Sequence, residues 1–161
     1  MSGLTLTKDV LTDFGYTINA REIDLSNQNI GDIDIDAFEE YEEVTKINLS
    51  GNQIEFVDHG TFAQNAKLTE LILANNKLRS FSAGVFGPGA SIEALDLSGN
   101  PLDSFDATLT ETLSLQTLNL DNTGVAGRVQ LKRVGRRLQA TLAQRFPSPC
   151  LQGEGGAIPG L

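Results

Sequence analysis

The chain has 161 residues, of which 40% are hydrophobic and 20% charged, a balance that supports one folded domain and excludes wholesale disorder. Its net charge is −9, and its single cysteine, Cys150, leaves no partner for an internal disulfide, so a disulfide-stapled secreted fold is excluded. We find no signal-peptide pattern and no stretch near the roughly 20 apolar residues of a membrane span. We therefore favour a cytoplasmic location, with a secreted chain or an ectodomain fragment as the alternative.

The charge is divided between two parts of the chain. Residues 1–126 hold 6 basic and 20 acidic residues, which gives −14, whereas residues 127–161 hold 6 basic residues and 1 acidic residue, which gives +5. This division indicates a change of organisation near residue 126. The charge of the first part disfavours nucleic acid as a ligand, because phosphates would be repelled.

The first 19 residues do not fit the repeat that follows them. Their apolar side chains are Leu4, Leu6, Val10, Leu11, Phe14 and Ile18. We predict that residues 1–19 form an N-terminal cap over the open edge and apolar face of the first coil, since an uncovered end of a stacked-repeat fold would aggregate.

Five stretches within residues 20–126 share one sequence frame. They begin at Ala20, Val44, Leu68, Ile92 and Leu115, at spacings of 24, 24, 24 and 23 residues. Apolar residues alternate with polar ones in each frame, as in Ile23-Asp24-Leu25, which is the pattern of a strand with one buried face. One such strand cannot bury its face alone, so we expect the repeats to stack into a parallel sheet with a continuous core.

Polar and aromatic residues recur after each predicted strand. Three residues beyond the last leucine the chain has, in order, Gln28, Asn52, Asn76, Asn100 and Thr123. The asparagine amides suit a sharp turn and can satisfy backbone groups of the adjacent coil that would otherwise be buried without partners. Further along the repeat come Phe38, Phe62 and Phe86, whose rings we expect to stack inside the coils.

This recurring pattern resembles the L-x-x-L-x-L-x-x-N-x-L signature of the leucine-rich repeat family, over residues 20–125. The 24-residue length with a late phenylalanine is similar to the "typical" repeat class, here without cysteine-rich caps. The resemblance implies an α/β solenoid: a right-handed superhelix with a parallel β-sheet on its concave side and an irregular or 3-10 convex side. It also implies a non-catalytic module that binds another protein through the concave face.

The outward strand positions on that concave face supply the candidate binding residues, because the family uses this surface for ligands. We expect the partner to contact Glu22, Asp24, Lys46, Asn48, Glu70, Ile72, Glu93, Asp96, Gln116 and Asn119. Ile72 is the one apolar residue in the central column of the predicted sheet, which makes it the best candidate anchor for a partner.

Residues 127–147 break the repeat. They place Leu131, Val134, Leu138 and Leu142 at spacings of 3, 4 and 4, with arginines mostly elsewhere. This pattern predicts a basic amphipathic helix that caps the C-terminal end of the solenoid. The alternatives are a basic helix that binds an anionic membrane, a nucleic acid or a partner's acidic groove, or a segment without native order.

A second hypothesis for function follows from the same segment. The basic helix of one chain would bind the acidic solenoid of another, so that the protein is a structural element that assembles into homo-oligomers. Residues 148–161 lack periodicity and are rich in glycine and proline, and we predict that they form a flexible tail.

Motifs for catalysis, cofactors and metals are missing from the sequence. His59 is the single histidine, and no known motif places a serine, cysteine or aspartate beside it, so we expect it at a structural position on the convex side. The run Asp32-x-Asp34-x-Asp36 has the spacing that begins an EF-hand loop, but it lacks the glycine and the terminal glutamate of that loop. We predict a solvated acidic edge there, and a protein with no enzymatic activity, no cofactor and no metal site.

Overall fold

Short parallel strands, joined by wide irregular coils, follow one another along the chain in a computed structural model that describes residues 3–104, 106, 109 and 115–125 and the backbone of residues 139–142. Two elements precede the repeats, and among the described residues one 3-10 turn lies in a coil. In chain order the elements are β1 (Leu4–Leu6), α1 (Lys8–Asp13), β2 (Glu22–Asp24), β3 (Ile30–Ile33), β4 (Lys46–Asn48), β5 (Glu70–Ile72), the 3-10 turn (Ala83–Val85), β6 (Ala94–Asp96), β7 (Thr117–Leu120) and β8 (Gln139–Leu142). Within the described residues, no helix is long and apolar enough to cross a membrane.

Six strands form one parallel sheet in the order β2-β4-β5-β6-β7-β8. The central residues of its first five strands pair in one line: Ile23, Ile47, Leu71, Leu95 and Leu118. Since each step across the sheet equals one repeat of the sequence, four turns of the chain join these five strands. The predicted parallel-sheet solenoid is therefore confirmed, and the right-handed sense of its superhelix stays a prediction.

The core lies between this sheet and the coils. The leucine that ends each strand motif is fully buried, at Leu25, Leu49, Leu73, Leu97 and Leu120. Across the core, Phe38, Phe62 and Phe86 stack as predicted, with ring centroids 5.4 and 6.0 Å apart. Full burial of one such side chain contributes about 1.5–3 kcal/mol, so these repeated apolar rows are the main stabilising feature of the solenoid.

Buried asparagines join successive coils, as the sequence predicts. The Asn76 Nδ2 atom donates to the carbonyls of Leu49 and Leu73, both at 3.0 Å, while its Oδ1 atom accepts from the Ile54 nitrogen at 3.1 Å. Asn52 and Asn100 repeat this arrangement one coil before and one coil after. The amides thus satisfy backbone groups that the strands leave unpaired inside the solenoid.

The N-terminal segment packs on the first coil through Leu6, Val10 and Leu11, three of its six apolar residues. β1 pairs in parallel with β3, and α1 begins at the cap residue Thr7, whose Oγ1 atom accepts from the Val10 nitrogen at 3.2 Å. Leu6 and Leu11 are fully buried. The expectation that all six apolar residues cover the coil is wrong, because Leu4, Phe14 and Ile18 are 37%, 41% and 55% exposed. All three lie outside α1: Leu4 is in β1, Phe14 follows the helix and Ile18 is in the turn before β2.

A tyrosine covers the free edge of the large sheet instead. The Tyr16 hydroxyl accepts from the backbone nitrogen of Asp24 at 2.9 Å and donates to the carbonyl of the same residue at 3.0 Å. One side chain therefore pairs both outward backbone groups of that residue in β2. Such pairing blunts a strand edge that another chain could otherwise extend.

At the far end of the sheet, a strand is found where part of a capping helix was predicted. Residues 139–142 form β8, which pairs in parallel with β7, so the helix predicted over 127–147 is wrong at these four residues. The spacing of four from Leu138 to Leu142 suits a strand as well as a helix, since four is also a multiple of the strand period of two. Pairing also satisfies backbone groups that the edge of β7 would otherwise leave open. The remainder of 127–147 and the tail predicted at 148–161 lie outside the described residues.

Candidate functional site

The outward side of the large sheet presents two rows of side chains, which we call the strand face. Its first row holds the first residue of each of the first five strands: Glu22, Lys46, Glu70, Ala94 and Thr117. Its second row holds the third residue: Asp24, Asn48, Ile72, Asp96 and Asn119. Both rows point away from the core because successive strand residues alternate between the two sides of a sheet and the central residues are buried.

Eight of the ten predicted binding residues lie in these two rows. The other two, Glu93 and Gln116, are exposed but lie one residue before β6 and β7. The register places Ala94 and Thr117 in the first row in their stead, and the predicted set included neither of them. Their positions in the sequence frame, equivalent to Glu22 and Lys46, are the signal that indicates these places.

The first row changes character halfway across the sheet. Its first three members are long and charged, and the Lys46 Nζ atom lies 3.8 Å from the Glu70 Oε1 atom, with both side chains 41% exposed. An ion pair this open to water contributes little to stability. Beyond Glu70, the small side chains of Ala94 and Thr117 extend less far from the sheet than the charged side chains before them.

The second row is built from a repeated polar turn. The Asp24 Oδ1 atom accepts from the backbone nitrogen and the hydroxyl of Ser26, at 3.0 and 2.8 Å, and these bonds hold the pKa of the Asp24 carboxyl below its usual value. Asn48 binds Ser50 in the same way, and Asp96 binds Ser98. The turn fixes the direction of each outward carboxylate or amide.

One repeat breaks this turn with two apolar residues. Ile72 stands where its neighbours have Asn48 and Asp96, and Ala74 stands where they have Ser50 and Ser98. Ala74 is 7% exposed, so the outward contact area belongs to Ile72. These two residues interrupt the polar row at its centre, and we call this interruption the apolar gap.

A depression of about 270 Å³ lies beside this gap, over β5, β6 and β7. Its walls carry Glu70, Ile72, Ala94, Asp96, Thr117 and Asn119. It exists because Ala94 and Thr117 do not fill the space that a longer side chain would occupy in the first row. Carboxylates, an amide and an apolar side chain therefore border one small cavity.

A second concavity, of about 800 Å³, lies among the coils and away from the sheet. Its lining consists of Ile35, Phe56, Val57, Asp58, His59, Ser80, Phe81, Ser82, Ser104 and Asp106. Ile35 and Phe56 are 51% and 54% exposed. This surface is larger than the depression on the strand face, and the predicted binding residues all lie elsewhere.

His59 has a hydroxyl beside it, although no motif placed one there. The Ser82 Oγ atom lies 3.0 Å from the His59 Nε2 atom. The two residues are 23 positions apart, so their proximity could be predicted only by aligning neighbouring repeats. A serine nucleophile also needs a group that orients the histidine and donors for an oxyanion. Among the described residues, the contact with Ser82 is the one side-chain hydrogen bond of His59, so no group that orients the imidazole in this way is seen there.

The chain is similar to known proteins in both sequence and fold. The family model described as leucine rich repeat matches residues 18–78, 42–102 and 66–125, which together span residues 18–125. No curated protein matches the sequence. One matching solved structure is described as the crystal structure of the APL1 leucine-rich repeat domain, with 24% identity and a TM-score of 0.65. The match covers 83% of this chain and 33% of that one, so it concerns the fold and about a third of the other protein's length.

Proposed function

Because the chain belongs to the leucine-rich repeat family, we propose that it is a non-catalytic module that binds a partner protein through the strand face. Domains of this family generally mediate protein–protein interactions. By the family resemblance this face is the concave side of the solenoid, and the proposed contacts are those predicted from the sequence, with Ala94 and Thr117 added.

The apolar gap at Ile72 carries this proposal. Four of the five residues of the second row are polar, and Ile72 together with Ala74 replaces both members of the turn that recurs beside it. A partly exposed apolar side chain next to a depression gives a partner something to bury, whereas a uniformly polar row does not. Binding energy at protein interfaces concentrates on a few such central residues.

The test is affinity capture from native extract with the full chain as bait. The double variant Ile72→Asp, Glu70→Lys should lose the captured partner while its far-UV spectrum stays unchanged. Phe56→Asp is a matched control, since it also places a carboxylate on an exposed apolar position, but on the coil concavity. Undiminished capture by the double variant would move the site off the strand face, and loss with Phe56→Asp alone would place it among the coils.

The charge division favours the second hypothesis, self-assembly. Residues 1–126 carry −14 and residues 127–161 carry +5, so one chain's C-terminal segment and another's solenoid attract each other. Sedimentation velocity at low and high salt tests this, because screening weakens such attraction. Self-assembly predicts dimers or larger species at low salt that dissociate at high salt. A monomer at every concentration in low salt contradicts it.

A further inference from the structure

We propose that the depression on the strand face receives an arginine side chain of the partner protein. This inference rests on the proposed function and names the chemistry of the partner's central contact. Three features of the depression lead to it: its size, its apolar wall and the acceptors around its rim.

The depression is narrow and partly apolar. At about 270 Å³ it has room for one long side chain and not for a folded loop. Ile72 and Ala94 supply its apolar surface, which suits the methylene stem of a basic residue. A short polar side chain would leave this surface uncovered.

Carboxylates from two strands border the same space. Glu70 belongs to β5 and the first row, whereas Asp96 belongs to β6 and the second row. Ser98 binds Asp96 only at Oδ1, through its backbone nitrogen at 3.0 Å and its hydroxyl at 2.7 Å, so these bonds orient the carboxylate and leave Oδ2 to a ligand. The surrounding residues 1–126 carry −14, which attracts a cation at longer range.

Arginine fits this arrangement better than lysine. Acceptors that come from two strands and two rows lie on different sides of the bound group, and a guanidinium carries five donors in a rigid plane that can reach several acceptors at once. An ammonium is a compact point charge that holds its water more strongly. Charge-assisted hydrogen bonds to carboxylates are also the stronger class of hydrogen bond.

A lysine of the chain itself competes for one of these acceptors. The Lys46 Nζ atom lies 3.8 Å from the Glu70 Oε1 atom, in a pair that is open to water. Such a loose pair is readily exchanged for a bidentate contact. Lys46 should therefore weaken the binding of an arginine, and its removal should strengthen it.

The experiment uses a phage-displayed library of random 12-residue peptides, selected on the full chain at physiological salt. We expect the selected peptides to share one arginine, whose replacement by lysine weakens binding about threefold to tenfold and whose replacement by norleucine weakens it more than tenfold. The norleucine peptide retains the apolar stem and removes the charge, so it separates the two parts of the proposed contact.

Two pairs of variants separate this contact from general attraction to an acidic surface. Asp96→Asn should weaken the arginine peptides more than tenfold, and it should fold normally because Asn48 makes the same contacts with Ser50 at the equivalent position. Glu43→Gln, which removes an equal charge from a pair with Lys67 away from the strand face, should have little effect. Lys46→Gln should strengthen binding severalfold, whereas Lys67→Gln should not.

The outcomes distinguish the two proposals. Peptides that require Ile72 but carry no shared arginine would overturn this inference and leave the proposed function standing. Peptides that bind equally to Ile72→Asp would overturn both. If Asp96→Asn and Glu43→Gln change peptide binding equally, or if Lys46→Gln and Lys67→Gln do, the attraction depends on net charge alone and the inference is overturned. Failure to select any peptide from the library also counts against it.

Discussion

The Asn76 Oδ1 atom accepts a hydrogen bond from the backbone nitrogen of Ile54, which precedes it by 22 residues and lies in the neighbouring coil. With the bonds from its Nδ2 atom to three carbonyls, this amide joins two repeats at a buried position. A solenoid is stabilised by contacts between neighbouring repeats, so the bonds of this amide belong to the folding unit as a whole.

Asn76→Ala should therefore destabilise the protein by about 3–5 kcal/mol. The substitution leaves the buried Ile54 nitrogen without a partner, at a cost of about 1–3 kcal/mol, and removes three further hydrogen bonds of about 0.5–1.5 kcal/mol each. The three carbonyls keep other donors: the Asn52 amide at Leu49, the Asn100 amide at Leu73 and the Gly51 nitrogen at Ala74. Urea denaturation followed by circular dichroism measures the change. The exposed neighbour Lys77 is the control, since Lys77→Ala should stay within about 0.5 kcal/mol. A similar small effect of Asn76→Ala would contradict this role.

Gly99→Ala should cost more than Gly60→Ala. Both glycines have positive φ, 71° and 87°, so an alanine at either position is strained by about 1–2 kcal/mol. A Cβ at Gly99 would also collide with the Asn75 amide, whereas a Cβ at Gly60 would meet nothing within 4 Å. Because the exposed Asn75 side chain can rotate away while its backbone nitrogen, at 3.2 Å, cannot, the collision should add about 1 kcal/mol, the low end for overpacked sites. Thermal unfolding of the two variants measures the difference, and equal losses would count against the close packing of these turns.

Tyr16→Phe should expose the edge of β2. It removes one hydroxyl that both accepts from and donates to the backbone of Asp24, which costs about 1–2 kcal/mol. The open edge should also raise the tendency to associate through strand pairing. Unfolding in urea and light scattering at high concentration measure the two effects. The variant Tyr41→Phe is a control, because that hydroxyl has one weak bond, at 3.4 Å to the Tyr16 carbonyl. Wild-type behaviour of Tyr16→Phe in both assays would refute the edge-covering role.

Ser26→Ala should raise the pKa of Asp24 part of the way to its ordinary value of about 3.9. The backbone nitrogen of Ser26 is the larger cause of the lowered pKa and remains, while the hydroxyl is lost. Because the pKa in the folded state is lowered, this carboxyl stabilises the fold above its unfolded pKa and loses that effect as pH falls through the folded value. Carboxyl-carbon NMR titration of both proteins gives the pKa, and an unchanged value in Ser26→Ala would contradict the assignment to the hydroxyl.

The repeat frame predicts the fold because every physical signal in it recurs. Ile47 and Leu71 pair in the sheet because they hold the same place in frames 24 residues apart. Asn52 and Asn76 bond across coils for the same reason. A residue pattern that appears once could be accidental, but a register repeated at constant length fixes which backbone groups meet.

Where no neighbouring frame constrained the pattern, prediction failed. Residues 139–142 follow the last recognised frame, and leucines four apart fit two periodicities equally well. On the strand face, Glu93 and Gln116 lie one residue before β6 and β7, and their larger polar side chains favoured them over Ala94 and Thr117, which hold the outward positions. The depression itself arises where the side chains are small, and a sequence pattern of polar and charged residues does not indicate such a space.

Site-specific photocrosslinking tests the central claim most directly. The photoreactive residue p-benzoylphenylalanine is placed at Glu93, on the rim of the strand face, or at Gln64, an exposed position in a coil. If the strand face binds a partner protein, position 93 gives a discrete crosslinked product in native extract and position 64 gives none. The product from position 93 is lost when the same chain also carries the substitution Ile72→Asp. A product from position 64 with none from position 93 would contradict the claim.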